Sequence, residues 1–281
     1  MVRIITDSAA DFEPIELERK QITCIPLKVM FGTDEFEENV TLTKTQFYDN
    51  MKQFGGFPKT SQAAPQVLAD LFAEAKAAGD EAIYFTLSSA LSGTWQSAMF
   101  IREDADYEGA YVVDSRNATG GQRMLVEYAV KLRDEGKCAK EIVAAVEAMR
   151  ERIVLYACIN TLEYLYKGGR ISHLSYTLGT LAQIKPIIHV DHHGRVDIPA
   201  KAMGMRKGMD YLCKQADAKK PDADFPLYVM YTDDRSVAET LAVRLAEHGH
   251  AIHEDHIIQV GAAIGSHVGP GACGLCYIEK I

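Results

Sequence analysis

The chain has 281 residues, enough for two domains of ordinary size, and its 47% hydrophobic and 25% charged residues are typical of a globular protein. Its formal net charge is −9, so nucleic acid and anionic membranes are not expected as dominant partners, because both favour an excess of lysine and arginine. No run approaches the ~20 apolar residues of a transmembrane helix, and no signal-peptide core is evident. The six cysteines are scattered, which is typical of reduced thiols. We therefore expect a cytoplasmic protein.

Strands and helices alternate through the first half of the chain. Apolar runs predict strands at 2–6, 22–29, 82–87 and 110–113. Helical spacing and cap residues predict helices at 14–20, 43–51, 65–75, 121–133 and 139–150. Between them, we expect a hairpin or loop at 31–40 and a loop at 59–61. This alternation favours a mostly parallel sheet covered by helices, with its site at the carboxyl ends of the strands.

The character of the sequence changes near residue 154. We therefore predict an N-terminal α/β domain of residues 1–153 and a C-terminal α/β domain of residues 154–281. The second contains a predicted hairpin around the Asp-His-His-Gly segment 191–194. Its other predicted elements are strands at 154–158, 227–231, 254–260 and 273–278 and helices at 176–183, 204–216 and 234–248.

Three polar segments rich in small residues indicate that the chain holds an anion. They are residues 58–62, 88–94 and 266–271, and we expect each to be a loop. The middle one joins a predicted strand to a predicted helix, so it presents free backbone N–H groups and the positive end of the helix dipole. Such a site can hold a phosphate or a carboxylate. Two Asp-Ser pairs, at 7–8 and 114–115, are better explained as caps or turns.

The ordered set of motifs resembles the DegV family of bacterial fatty-acid-binding proteins. The motifs are Asp7-Ser8, Thr60-Ser61-Gln62, the Ser88–Thr94 segment, Leu165–Ile171, Lys185-Pro186 followed by Arg206, and His267–Gly271. The resemblance covers essentially the whole chain. One departure is Ala63-Ala64 after the Thr-Ser-Gln motif, where the family usually has Pro-Ser. We expect this change to alter the stiffness of the loop more than its chemistry.

The resemblance implies two α/β domains, a mostly parallel sheet in the first, and a lipid site between them. The ligand would be one long-chain fatty acid such as palmitate or oleate, with its tail in an apolar tunnel. The carboxylate would bond to Thr60 and Ser92, receive a hydrogen bond from His267, as imidazolium or neutral imidazole, and face the counter-charge of Arg170. The ligand-binding residues implied are Thr60, Ser61, Ser92, Gly93, Thr94, Arg170 and His267.

The resemblance further implies a carrier without catalytic residues, metal or cofactor. It would present the fatty acid to a separate fatty acid kinase, which makes acyl phosphate for phospholipid synthesis. Arg206, expected on the surface at the start of a helix, would contact that kinase or the site. Simpler interpretations also hold for single residues: Ser92 as a helix N-cap, His267 as a polar core residue, Arg170 as a salt bridge or helix C-cap, and Arg206 as a solvated charge.

Other functions are weighed against the carrier. Ser92 or Ser8 together with His267 would suit a hydrolase or phosphotransferase that acts on acyl or phosphate esters. A regulatory protein that senses lipid is also compatible with the sequence, as is brief contact with a membrane surface. Metal sites are disfavoured, because His250, His253 and His256 alternate faces on the predicted strand 254–260 and its approach. Cys273 and Cys276 likewise fall on opposite faces of a strand. No nucleotide-binding glycine motif is present.

Overall fold

A computed structural model describes residues 1–177 and 183–281. Its strands are β1 (Val2–Asp7), β2 (Ile22–Ile25), β3 (Lys28–Phe31), β4 (Asp34–Glu37), β5 (Lys59–Ser61), β6 (Glu81–Thr86), β7 (Ala110–Asp114), β8 (Ile153–Cys158), β9 (Ile184–Val190), β10 (Val196–Met203), β11 (Tyr228–Tyr231), β12 (Ile257–Gln259) and β13 (Cys273–Ile278). Its helices are α1 (Pro14–Lys20), α2 (Lys44–Phe54), α3 (Pro65–Ala78), α4 (Thr94–Asp104), α5 (Thr119–Asp134), α6 (Ala139–Arg150), α7 (Glu163–Lys167), α8 (His173–Thr177), α9 (Gly204–Ala218), α10 (Arg235–Glu247) and α11 (Ala262–Val268).

The first half of the chain forms a parallel sheet, as predicted. Its strand order is β2-β1-β6-β7, and every pairing is parallel. Strands β1 and β6 are almost entirely buried, which explains why β6 appears in the sequence as a mostly apolar run and β1 as a short apolar stretch interrupted by Arg3, rather than as alternating patterns. The predicted α/β fold class is therefore confirmed.

The single strand predicted at 22–29 is wrong, because the chain breaks at Pro26. A proline donates no backbone hydrogen bond and is unfavourable inside a strand. After it, β3 pairs with β4 as the hairpin expected in this region and with β5 on its other side. Residues 59–61 are therefore strand β5 rather than the predicted loop, and Thr60 lies opposite Val29.

The second half forms a six-stranded sheet in the order β10-β9-β8-β13-β11-β12. All its pairings are antiparallel except β11 with β12, and β9 and β10 form the hairpin predicted around 191–194. The strand predicted at 254–260 shrinks to β12, preceded by a 3₁₀ turn at Glu254–His256. The alternation assumed for His250, His253 and His256 is therefore wrong. Of the helix predicted at 176–183, residues 178–182 lie outside the described residues.

Helix α5 lies between the two sheets and joins their cores. It contacts β1 and β6 of the first sheet and β8 and β13 of the second. One hydrophobic cluster accordingly contains Ile4 and Phe85 from the first sheet, Leu125 from α5, and Leu155 and Cys276 from the second. The boundary placed near residue 154 stays a prediction, although β8 does open the second sheet.

Three smaller observations bear on the metal sites and membrane spans that the sequence disfavours. Cys273 and Cys276 belong to different hydrophobic clusters on opposite faces of β13, as the strand periodicity predicted. Within residues 1–177 and 183–281, no group of three His, Cys, Asp or Glu side chains could hold a metal ion. The helices described there include none that is both long and apolar enough to cross a membrane.

Candidate functional site

An apolar cavity of about 360 Å³ lies between the two sheets, within the range of ~300–1,000 Å³ usual for small-molecule sites. The first half of the chain contributes lining residues around the ends of β2 and β6, and the second half contributes the faces of β8, β9, β10 and β13. Aliphatic lining side chains include Leu27, Leu87, Leu155, Ile188, Val190 and Val196. A cavity with such walls suits an alkyl chain.

The polar lining begins at β5. Pairing with β3 holds β5 extended, and Thr60, Ser61 and Gln62 line the cavity from it. The Thr60 Oγ1 and His267 Nε2 atoms are 2.9 Å apart, which joins residues separated by 207 positions in sequence. The fold therefore brings together two of the three small-residue segments singled out in the sequence.

His267 lies in the last turn of helix α11, not in the predicted loop. The helix ends at Gly269, whose φ of +78° favours glycine and whose N–H donates to Gly265 O at 2.8 Å. Burial, with a further contribution from the Arg170 charge, lowers the pKa of His267 to about 3. This lowered pKa favours the neutral imidazole of the two forms considered from sequence, in the protein without a ligand. Its Nδ1 is buried without a hydrogen-bond partner in the described part of the chain.

Arg170 supplies the positive charge of the cavity lining. Its Nε donates to Leu91 O at 3.0 Å and its Nη1 donates to Gly168 O, just after α7. Among the described residues Arg170 has no carboxylate partner, so the salt-bridge interpretation is wrong there. Its contact with Gly168 O agrees with a helix C-cap. Burial lowers the pKa of Arg170, but a guanidinium remains charged. A half-buried cation with only carbonyl partners favours an anion beside it.

The segment 88–94 joins β6 to α4, as expected. Ser92 Oγ accepts from Thr94 N–H at 3.2 Å and lies 2.9 Å from Thr94 Oγ1. Gly93, rather than Ser92, occupies the N-cap position of α4 and offers no side-chain cap. Ser92 and Gly93 line the cavity, whereas Thr94 is buried and is not among the lining residues.

Arg206 lies apart from this group. It is exposed in the first turn of α9 and does not line the cavity. The structure thus gathers Thr60, Ser61, Ser92, Gly93, Arg170 and His267 around one cavity and leaves Arg206 on the surface.

The two Asp-Ser pairs have structural roles at the ends of β1 and β7. Asp7 accepts from Ala9 N–H at 3.1 Å and from Leu87 N–H at 2.7 Å, and its burial raises its pKa to about 6. Asp114 accepts from Ser89 N–H at 3.1 Å and from Arg116 N–H at 2.9 Å. The cap and turn interpretations are confirmed, and both carboxyl groups also anchor the start of the 88–94 segment.

Some contributors to the site were missed in the sequence. The carbonyl groups of Leu91 and Gly168 orient Arg170, and backbone groups leave no residue-type signal. Gly168 must lack a side chain, because a Cβ there would overlap Nδ1 of His267. Gln62 lines the cavity next to Gly93, and its place in the Thr-Ser-Gln motif was the available signal.

Comparisons with known proteins agree on one family. A family model described as "Uncharacterised protein, DegV family" matches residues 1–280. A DegV domain-containing protein of Clostridium perfringens is 32% identical over 286 residues, covering 98% of this chain and 96% of its own. Among solved structures, a DegV family protein from Thermus thermophilus, described by its fatty acid binding, has 28% identity and a TM-score of 0.89, with 99% of each chain covered. A fatty acid binding DegV family protein from Streptococcus agalactiae has 26% identity and a TM-score of 0.88, covering 100% of this chain and 99% of its own.

Proposed function

Because the chain belongs to the DegV family, we propose that it binds one long-chain fatty acid, such as palmitate or oleate. The tail occupies the cavity between the sheets, and the carboxylate lies against Arg170, Thr60 and Ser92. The observation that carries this proposal is a half-buried guanidinium with only carbonyl partners in the described chain, set in the lining of an otherwise mostly apolar cavity.

The energetics favour a tight complex. Burial of a sixteen-carbon chain at ~0.8 kcal/mol per CH₂ contributes roughly 10 kcal/mol before the costs of association. A carboxylate buried with that chain needs charged or hydrogen-bonding partners, because an unpaired charge in an apolar site is strongly unfavourable. Arg170 supplies the charge, and the hydroxyl groups of Thr60 and Ser92 supply further donors.

His267 acts in this proposal as a neutral partner of Thr60. With Nε2 protonated, it donates to Thr60 Oγ1, which leaves the hydroxyl hydrogen of Thr60 free for the carboxylate. The low pKa of about 3 supports this neutral role. Ser61 and Gly93 contribute to the walls around the carboxylate, and Thr94 acts through its hydrogen bonds with Ser92.

We propose a carrier rather than an enzyme. A serine nucleophile needs a nearby general base and access to its substrate. Ser92 bonds to Thr94, and Ser8, which donates to Glu38 at 2.6 Å, is 2% exposed and does not line the cavity. His267 is paired with Thr60, and a pKa of about 3 makes it a weak base at neutral pH. A catalytic histidine usually has a partner that orients its ring. Among the described residues, Nδ1 of His267 has no such hydrogen-bond partner. These contacts favour the carrier over the hydrolase or phosphotransferase.

The proposed role extends to a partner. A separate cytoplasmic fatty acid kinase would phosphorylate the presented carboxyl group, and its product would enter phospholipid synthesis. Arg206, exposed at the start of α9 and away from the cavity lining, is the proposed contact for that kinase. An exposed arginine of this kind contributes to recognition of a partner rather than to burial of a ligand.

Native mass spectrometry of the purified protein, followed by denaturing extraction, tests the proposal. We expect the added mass of one long-chain fatty acid, lost on unfolding and identified in the extract. Arg170→Gln should carry less lipid, whereas Arg206→Gln is the matched control and should carry as much as the wild type. A wild-type mass that stays free of ligand after incubation with palmitate or oleate would refute fatty acid binding.

A further inference from the structure

The first turn of α11 is held by three buried side chains from the other half of the chain. Tyr48 OH donates to Val260 O at 2.8 Å, just before the helix. Gly261 N–H donates to Asp11 Oδ1 at 2.8 Å, and Ala263 N–H donates to Glu38 Oε1 at 3.1 Å. We call Asp11, Glu38 and Tyr48 the α11 socket; each is at most 2% exposed.

The helix is seated closely in this socket. A Cβ atom on Gly261 would overlap the Glu38 carboxylate, and one on Gly265 would lie 2.5 Å from Tyr48 OH. These glycines are therefore required by space rather than by backbone conformation, since neither has a positive φ. The close fit leaves α11 little freedom to shift against the first half of the chain.

The opposite end of α11 carries His267 into the cavity lining. A helix of seven residues spans roughly 10 Å at ~1.5 Å per residue, so about two turns of backbone hydrogen bonds connect its two ends. A shift at its first turn therefore displaces His267 from Thr60, and a hydrogen bond weakens steeply with misalignment. None of the three socket residues lines the cavity.

We propose that Asp11, Glu38 and Tyr48 are positioning residues for lipid binding, which act through α11 to hold His267 against Thr60. This inference rests on the proposed function. The socket thereby makes the carboxylate site depend on contacts that never touch the ligand. A purely structural socket would stabilise the fold without any specific effect at His267.

A double-mutant cycle on palmitate affinity separates these roles. Tyr48→Phe removes one hydroxyl group, and we expect it to weaken binding roughly 3–10-fold, as for a lost hydrogen bond. In a His267→Gln background the same change should alter affinity less than about 2-fold, because the effect passes through His267. Equal factors in both backgrounds would overturn the inference. Glu38→Met, which removes the acceptor of the Ala263 N–H group, provides a second variant with the same expected pattern.

Tyr277→Phe is the matched control. It removes a tyrosine hydroxyl that donates to Gln215 O at 3.1 Å, in contact with α9 rather than with α11. We expect it to leave palmitate affinity unchanged in both backgrounds. A loss as large as that of Tyr48→Phe would show a general packing effect and overturn the inference.

NMR of the lipid-free protein with labelled histidine gives a readout independent of binding. Tyr48→Phe should shift the His267 imidazole resonances, and Tyr277→Phe should not. Unchanged His267 resonances in Tyr48→Phe would overturn the inference even if palmitate binds. If the wild type binds no palmitate while the resonances do shift, the proposed function fails and the positioning of His267 stands.

Discussion

Replacement of His267 by glutamine should change how the stability of the protein depends on pH. The folded protein holds this histidine at a pKa of about 3, against an ordinary value of 6.5, because it is buried with Arg170 nearby. Below pH 6.5 the unfolded chain binds a proton at this residue that the folded chain does not. The wild type therefore loses stability relative to His267→Gln as the pH falls from 6.5 towards 3.

The expected size follows from the same shift. Between pH 6.5 and pH 4.5 the slope rises from half of its full value to nearly 1.4 kcal/mol per pH unit, which gives a relative loss of about 2 kcal/mol in the free energy of unfolding. Other groups, such as Glu38, whose burial raises its pKa to about 7, cancel in the difference between the two proteins. Urea unfolding of lipid-free protein across this range measures the difference at each pH.

A matched control removes the general effect of losing a histidine. His192 is exposed in the turn between β9 and β10, so His192→Gln should track the wild type across the whole pH range. A difference between wild type and His267→Gln that stays flat from pH 6.5 to pH 4.5 would refute the burial of a neutral imidazole at this site. A wild type that gains stability relative to the variant on acidification would refute it more strongly.

Three further predictions concern binding. Arg170→Gln should raise the Kd for palmitate roughly 10–100-fold, because a hydrogen bond to a charged group contributes ~1.5–3 kcal/mol. Titration calorimetry measures this Kd, and an unchanged value would place the carboxylate elsewhere. Val196 lies in the cavity wall, so Val196→Phe should shift preference from eighteen-carbon towards twelve-carbon acids in a competition assay, whereas Val196→Ala should not. The same chain-length preference in both variants would mean that the tail lies elsewhere. Arg206→Ala should impair use of the bound lipid by the kinase more than lipid affinity, and an equal loss of both would make Arg206 part of the site.

Burial on both faces made much of the fold predictable. Strands β1 and β6 appear in the sequence as mostly apolar segments between predicted helices, so both their existence and their parallel pairing could be inferred. Strand β5 could not be inferred, since three polar residues carry no periodicity and become a strand only through pairing with β3. The helical state of His267 was obscured by the glycines around it, because Gly265 is required by space and Gly269 ends the helix.

The candidate site was predictable in its residue types but not in its electrostatics. The motif positions of Thr60, Ser92, Arg170 and His267 pointed to an anion, and the fold places them around one cavity. The lowered pKa of His267 comes mainly from burial, with Thr60 of the first half and Gly168 of the second half beside its ring, and no local pattern records this. The partners of Arg170 are backbone carbonyls, so the sequence could not distinguish a paired arginine from one available to a ligand.

The position of α5 between the two sheets bears on how such proteins can be recombined. A chimera that joins residues 1–153 of this chain to the second half of a relative would pair one side of α5 with a sheet that did not evolve beside it. The side chains of α5 that contact β8 and β13 would have to be exchanged with that sheet. A working chimera would therefore have to exchange the second half of the chain together with the face of α5 that packs against it.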